Sequence, residues 1–227
     1  MANTYSKISV LVPTRHRVHR LKTLLASWQE TVRDKEQAEL VFRVDDDDVE
    51  TLGFLEDLPH KVVSGSRRQG YRSMPSFFNE LFMYASTGDV LMCGNDDMAF
   101  RTVGWPAMVL AAANEYPDGL FDFGVSTLNE THYPFSIVSR RAASQMGFLW
   151  DPRVYWGDVF LRDVMAAFGR TIMLPSVHVE HDWVGQNPDQ VFRESEKNVQ
   201  KIDPVYWTET HPRLVGEAVS KLRELSA

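Results

Sequence analysis

Apolar positions change their spacing along this chain in a regular way. "KISVLVP", Lys7 to Pro13, is a β-rich apolar run stopped by proline and predicts a buried strand. Val18, Leu21, Leu24, Leu25 and Trp28 then recur at helical spacing. "AELVFRVDDDD", Ala38 to Asp48, predicts a second strand, and "KVVSGS", Lys61 to Ser66, a third. Phe77, Phe78, Leu81, Phe82 and Ala85 predict a helix, with Pro75 suited to its first turn. "GDVLMCGNDDMAF", Gly88 to Phe100, opens as a fourth strand, and "WPAMVLAAANEY" reads as the next helix. Strand–helix alternation of this kind predicts an α/β fold with a mostly parallel central sheet and helices on both faces. Further on, strands are expected at Phe121–Ser126, Phe135–Ser139 and Arg170–Leu174, and helices near Val159–Phe168 and from Pro212 to Leu225. With no repeat, linker or low-complexity tract, the expectation is one domain over 1–227.

Composition narrows the function classes. Of 227 residues, 44% are hydrophobic and 24% charged, as in ordinary globular proteins. The net charge of -7 does not favour a nucleic-acid partner, although Arg15, His16, Arg17, His19 and Arg20 cluster, as do Arg67, Arg68 and Arg72. A single cysteine, Cys93, excludes an internal disulfide framework and reads as a buried strand thiol. No apolar run approaches the length of a membrane span and no signal-type segment opens the chain, so a cytoplasmic location is expected.

The polar clusters fall where the chemistry of such sheets is found. In open α/β sheets, ligands bind beyond the carboxyl ends of the strands. Pro13-Thr14-Arg15 follows the first strand, Asp45 to Asp48 the second, and Asn95-Asp96-Asp97 the fourth. Two adjacent carboxylates repel unless something positive lies between them, and Mg²⁺ or Mn²⁺ takes oxygen ligands of this kind. On an extended chain Asn95 and Asp97 share one face and Asp96 takes the other. Neither GxGxxG nor GxxxxGK[ST] occurs, which argues against a dinucleotide or P-loop enzyme.

The order of these segments resembles a GT-A-fold glycosyltransferase of the family-2-like group. "ISVLVPTRHRVHRLKTLLASW" is similar to that family's opening strand and helix, and "FRVDDDD" to its acidic turn. "RRQGYRSMPSFFNELFMYASTGDVLMCGNDDMAF" resembles the run from the nucleotide loop to the DxD motif, and "FSIVSRRAASQMGFLWDPRVYWGDVFLRDVMAAFGR" the acceptor segment. The likeness covers roughly Ile8 to Trp183. It implies a nucleotide-sugar half at about 7–100, an acceptor half at about 101–185 and a helical tail at about 186–227. It further implies a nucleoside-diphosphate sugar donor, a UDP-sugar by expectation, with Mn²⁺ or Mg²⁺ as cofactor and an acceptor carbohydrate or other hydroxyl compound. Pro13, Thr14, Arg15 and Asp45 then face the base, Arg68 the diphosphate, and Asn95 and Asp96 the donor. Asp97 and His181 take the metal, and Asp158 serves as the general base of an inverting transfer. The chain departs from the family at position 95, Asn where DxD begins with Asp, and at Gly157-Asp158, where Glu-Asp is frequent.

Other readings stay open on the sequence. Asp45 to Asp48 also suit a solvated turn, and Asp158 a helix cap, with Asp151 and Asp163 as alternative bases. Trp150, Tyr155 and Trp156 suit either the core or a sugar-stacking surface. "HVEHDW" offers His178 as well as His181, and "VGQNPDQ" suits a segment that closes over donor. A retaining enzyme, a transferase acting on modified DNA bases and a non-catalytic nucleotide-sugar binding protein are the alternative functions. A sugar nucleotidyltransferase is disfavoured, because "PTRHRVHR" stands where its Gly-rich loop belongs.

Overall fold

The computed structural model describes residues 4–68, 73–127, 134–182, 193 and 205–225. The strands are β1 (Ile8–Thr14), β2 (Ala38–Asp45), β3 (Lys61–Gly65), β4 (Val90–Cys93), β5 (Met98–Phe100), β6 (Asp122–Ser126), β7 (Ile137–Ser139) and β8 (Thr171–His181). They form one eight-stranded sheet in the order β3-β2-β1-β4-β7-β6-β8-β5. The helices are α1 (Val18–Thr31), α2 (Val49–Glu56), α3 (Met74–Glu80), α4 (Trp105–Asn114), α5 (Arg140–Met146), α6 (Gly157–Phe168) and α7 (His211–Arg223). Widened π-helical turns extend α3 over Leu81–Ala85 and precede α7 over Tyr206–Thr210.

The strands of the first half are apolar on both faces because helices cover both. On β1, Ile8, Val10 and Val12 enter the core layer shared with α1, α2 and α4, while Leu11 enters the layer beneath α3, α5, α6 and α7. In the first layer Phe100 stacks on Trp105 with centroids 4.4 Å apart, and Trp28 of α1 meets both rings edge-on. That aromatic group fixes the short β5, and with it the turn that precedes it. No helix among the described residues is long and apolar enough to cross a membrane.

The sheet is α/β as expected, but mixed. β3, β2, β1 and β4 run parallel to their neighbours, and β6 to β8, whereas β7 is antiparallel to β4 and β6, and β5 to β8. The strand expected over Arg170–Leu174 runs on to His181. β8 pairs with β6 over Thr171–Leu174, breaks register past Pro175, meets β6 again at Ser126–His178, and pairs with β5 over Val179–His181. A proline lacks the N–H for a ladder bond and so reads as a strand end, yet here it sits in the irregular stretch that the strand runs through. The short helices α2 and α5 and strand β5 carry too few periodic positions to show in the pattern.

The end of the sheet away from the polar clusters is held by Glu39. Its carboxylate accepts from Ser9 Oγ at 2.6 Å and Thr87 N–H at 2.6 Å, and pairs with Lys7 at 3.0 Å and Lys61 at 3.1 Å. Partial burial alone raises its pKa, but these donors outweigh that and bring it down to about 2. A depressed carboxylate contributes stability above its unfolded pKa and loses it as pH falls through the folded value. We therefore expect Glu39→Gln to lower unfolding free energy at pH 7 by up to about 3 kcal/mol, with the difference from wild type narrowing from about pH 5 downward. Denaturant titrations at pH 7, 5 and 3 check this, and a gap independent of pH would show that the charge of Glu39 is not what matters.

Candidate functional site

The carboxyl ends of β1, β2 and β4 lie side by side, so the segments after them converge. Beyond Cys93 the chain is not extended. It leaves the sheet at Gly94 and Asn95, turns at Asp96 and Asp97, and resumes as β5. The two aspartates therefore part company through the turn rather than through strand alternation.

Asp96 points inward. One carboxylate oxygen accepts from Thr14 Oγ1 at 2.9 Å and the other from Arg17 Nη1 at 2.9 Å. Burial pushes its pKa up against the pull of Arg17. In this structure Thr14 and Asp96, both expected at the donor, bind one another and join the ends of β1 and β4.

Asp97 points the other way. The pairing of β5 with β8 sets Met98 opposite His181, and the Asp182 N–H donates to the Asp97 carbonyl oxygen at 2.8 Å. His181 Nε2 lies 3.3 Å from Asp97 Oδ1, and that buried oxygen has no hydrogen-bond partner among the described residues. Phe135 packs edge-on against the imidazole. A buried carboxylate oxygen left without a donor is costly, and a cation removes the cost. Two ligand atoms at adjacent octahedral positions, each about 2.1 Å from a small divalent ion, lie about 3 Å apart. The Asp97–His181 spacing fits such an ion. Among the described residues no three or more His, Cys, Asp and Glu side chains gather in a group that could hold a metal ion. Arg20 closes the far side, donating to the Asp182 carbonyl oxygen at 2.8 Å with Asp97 Oδ2 3.9 Å away. His178 stands beyond the β5 pairing, where its N–H takes Thr102 Oγ1 at 2.8 Å.

The aspartate run after β2 divides in two. Asp46 and Asp47 are exposed, as in a solvated turn, while Asp45 and Asp48 are buried. Asp48 caps α2, accepting from Thr51 N–H at 3.2 Å and His16 N–H at 2.7 Å. Asp45 takes Arg43 Nη1 at 2.6 Å and Arg15 Nη1 at 2.9 Å, and Arg15 also grips Asp47, a bond that raises its pKa. Arg43 is itself buried, reaching Glu80 at 3.1 Å and the Ser66 carbonyl at 2.8 Å, with its guanidinium over the Phe77 ring. Arg68 joins the same network through Glu80 at 2.6 Å and Ser76 at 2.8 Å. Pro13 is half-buried opposite Arg43 in the β1–β2 register.

Asp158 lies in the first turn of α6, but the cap position is Trp156 and no side chain makes a cap bond there. The site for a cap is thus one that Asp158 does not occupy. Its charge is felt at the buried Cys93 thiol, at the carboxyl end of β4, where burial, then Asp122 and Asp158, push the thiol pKa up. The departure at position 157 has a steric cause: a Cβ on Gly157 would lie 1.9 Å from Cδ2 of Trp150. The Trp150 indole packs on Phe78 at 4.1 Å, and its backbone is held by Asn79. Of the other acids, Asp151 is buried against Arg153 at 2.7 Å, and Asp163 binds His211 at 3.0 Å. Trp150 and Tyr155 are buried, so of the three aromatics only Trp156 has a partly open face. Trp183, Arg72 and "VGQNPDQ" lie outside the described residues.

Arg17, Arg20 and Arg43 were not singled out individually by the sequence reading. Arg43 had a signal: it is a lone cation in an apolar strand, two residues before Asp45 and hence on the same face.

The fold is similar to those of solved glycosyltransferases. A mannosyltransferase, PcManGT from Pyrobaculum calidifontis, in complex with GDP-Man and Mn²⁺, superposes with a TM-score of 0.63 at 15% identity, over 97% of this chain and 75% of that one. TarS from S. aureus gives 0.60 at 14% identity, over 95% of this chain and 43% of that one. GalNAc-T7 with UDP, GalNAc and Mn²⁺ gives 0.65 at 15%, over 98% of this chain and 55% of that one. No protein-family model and no curated protein matches the sequence. The fold is that of GT-A glycosyltransferases.

Two outcomes follow from this geometry. Mn²⁺ titrations followed by electron paramagnetic resonance should show at least tenfold weaker binding in Asp97→Asn and His181→Ala, and no change in His178→Ala; equal loss in both histidine variants would separate the ion from β8's last residue. Gly157→Ala should lower stability by about 1–3 kcal/mol or more through overpacking against Trp150, and an unchanged melting temperature would contradict that packing.

Proposed function

We propose that the protein is a metal-dependent glycosyltransferase that moves a sugar from a nucleoside-diphosphate sugar, by expectation a UDP-sugar, to an acceptor hydroxyl with inversion. The observation that carries this is the donorless buried oxygen of Asp97 facing His181 at the carboxyl edge of a GT-A sheet. The bound nucleotides and Mn²⁺ of the superposed enzymes support the same reading.

In this reading the donor lies across the ends of β1, β2 and β4, with its base toward Pro13, Arg15 and Asp45. Asp97 and His181 would hold Mn²⁺ or Mg²⁺, with Asn95 two residues before Asp97, and such an ion would supply Lewis-acid stabilisation of negative charge on a leaving diphosphate. Arg15 and Arg68 carry positive charge along the same edge, Arg68 toward the diphosphate. Thr14 and Arg17 keep Asp96 buried and so hold the turn in the shape that presents Asp97 to the ion. Asp158 takes the proton from the acceptor hydroxyl as that oxygen attacks the anomeric carbon and the bond to the diphosphate breaks. The low-dielectric wall formed by Trp150 and Phe78 beside Gly157 leaves no room for a second carboxylate at that position. Asp158 therefore acts alone there.

Asp158→Asn preserves size and cannot accept the proton. It should cut kcat by on the order of 10²-fold or more, about 2.7 kcal/mol in barrier, with little change in donor KM or melting temperature. Near-normal turnover, or a product of retained configuration, would remove Asp158 as base.

A further inference from the structure

Donor and proton are provided for by the residues above, and the acceptor so far has no surface. Two residues before Asp158, Trp156 stacks on Trp207, with ring centroids 5.3 Å apart and planes 20° from parallel. Trp207 comes from the turn before α7, far along the chain, and is 44% exposed. Beneath this pair, Tyr155 and Tyr206 meet edge-on at 4.8 Å. The Tyr155 N–H donates to the Tyr206 hydroxyl at 3.3 Å, and that hydroxyl lies 3.4 Å from His211 Nδ1. His211 Nε2 is in turn 3.0 Å from Asp163 of α6. Tyr155, Tyr206 and His211 are all buried. A chain of buried polar contacts thus fixes an indole that keeps nearly half its surface in water.

We propose that the outer face of Trp207, backed by Trp156, is the acceptor platform, and that its occupant is a pyranose ring of a neutral carbohydrate. The proposal rests on the transferase reading and names its acceptor class. One face of a pyranose is a patch of C–H bonds, apolar and slightly positive, and an aromatic face is apolar and slightly negative. A rigid indole loses little entropy on binding, because its rotamer is already set. Nucleobases also stack on such rings, but they bring phosphates. Asp158 and Glu209 stand on the two segments that build the platform, in a chain of net charge -7, and disfavour a polyanion, whereas Asp163 is paired with Arg162 and His211. A neutral sugar meets no such penalty, and its ring would lie beside the first turn of α6, where the base of the transfer is placed.

The test uses the full chain without donor. Maltose, cellobiose and N,N′-diacetylchitobiose are titrated to tens of millimolar while the indole N–H signals are followed by NMR, with Trp207 assigned by substitution. At least one disaccharide should move the Trp207 and Trp156 signals. Trp207→Leu should weaken that binding about tenfold or more, Trp207→Phe should retain most of it, and the melting temperature and the affinity for UDP with Mn²⁺ should hold. No movement with any of the three sugars, or unchanged binding in Trp207→Leu, would overturn the platform. Equal movement by a short single-stranded oligonucleotide would overturn its occupant. Absence of nucleotide binding in the wild type would sink the transferase reading while leaving a sugar-induced shift, so the two failures are separable.

Discussion

The site depends on one buried carboxylate that does not itself face the crevice. Asp96 is held by Thr14 at the end of β1 and by Arg17 at the start of α1, so it ties three segments of the chain at one point. Its neighbour, Asp97, is the residue proposed for the metal. Because Asp96 is committed inward, the backbone must turn Asp97 outward, toward His181 and Arg20. Each carboxylate faces a cation of its own, Arg17 for Asp96 and Arg20 for Asp97, which offsets part of the repulsion between them. This is why a pair of acids can stand at a strand end without unfolding it.

The same division of labour recurs after β2. Asp45 and Asp48 are consumed by arginine and by a helix terminus, and of the exposed pair between them Asp46 is an ordinary turn residue while Asp47 is gripped by Arg15. A buried arginine such as Arg43 is tolerated because every direction of its guanidinium meets an acceptor or a ring. The resulting frame runs from Arg15 through Asp45, Arg43 and Glu80 to Arg68. It connects the opening loop to α3, so the wall facing the expected base is rigid before any ligand arrives.

The strands of the first half were legible because each is a continuous apolar run, and their shared edge followed from the crossover rule. Of the antiparallel strands, β7 lies within the strand expected at Phe135–Ser139, whereas β5 was not legible, since it has three residues and owes its existence to β8, distant in sequence. Asp97, His181 and Asp158 were put forward through the resemblance and the order of motifs, and the structure brings Asp97 and His181 together. The structure adds why position 157 must be glycine, which depends on an indole seven residues earlier in the chain and on no local pattern. Trp207 was invisible for the same reason: its meaning comes only from lying on Trp156.

β8 carries a constraint on how this chain can change length. It serves two ladders, with Pro175 in the irregular step of the β6 ladder, between Leu174 and His178 opposite Val125 and Ser126, just before the β5 ladder begins. Side chains alternate faces with every residue, so one residue gained or lost between Leu174 and Val179 would carry His181 to the opposite face of β5. Two residues would restore the face but displace the imidazole by about 7 Å along the strand. Homologous chains that keep the site should therefore vary freely in the loops around it and hold this short interval at constant length, which makes the spacing from Pro175 to His181 a more durable signature than any single residue within it.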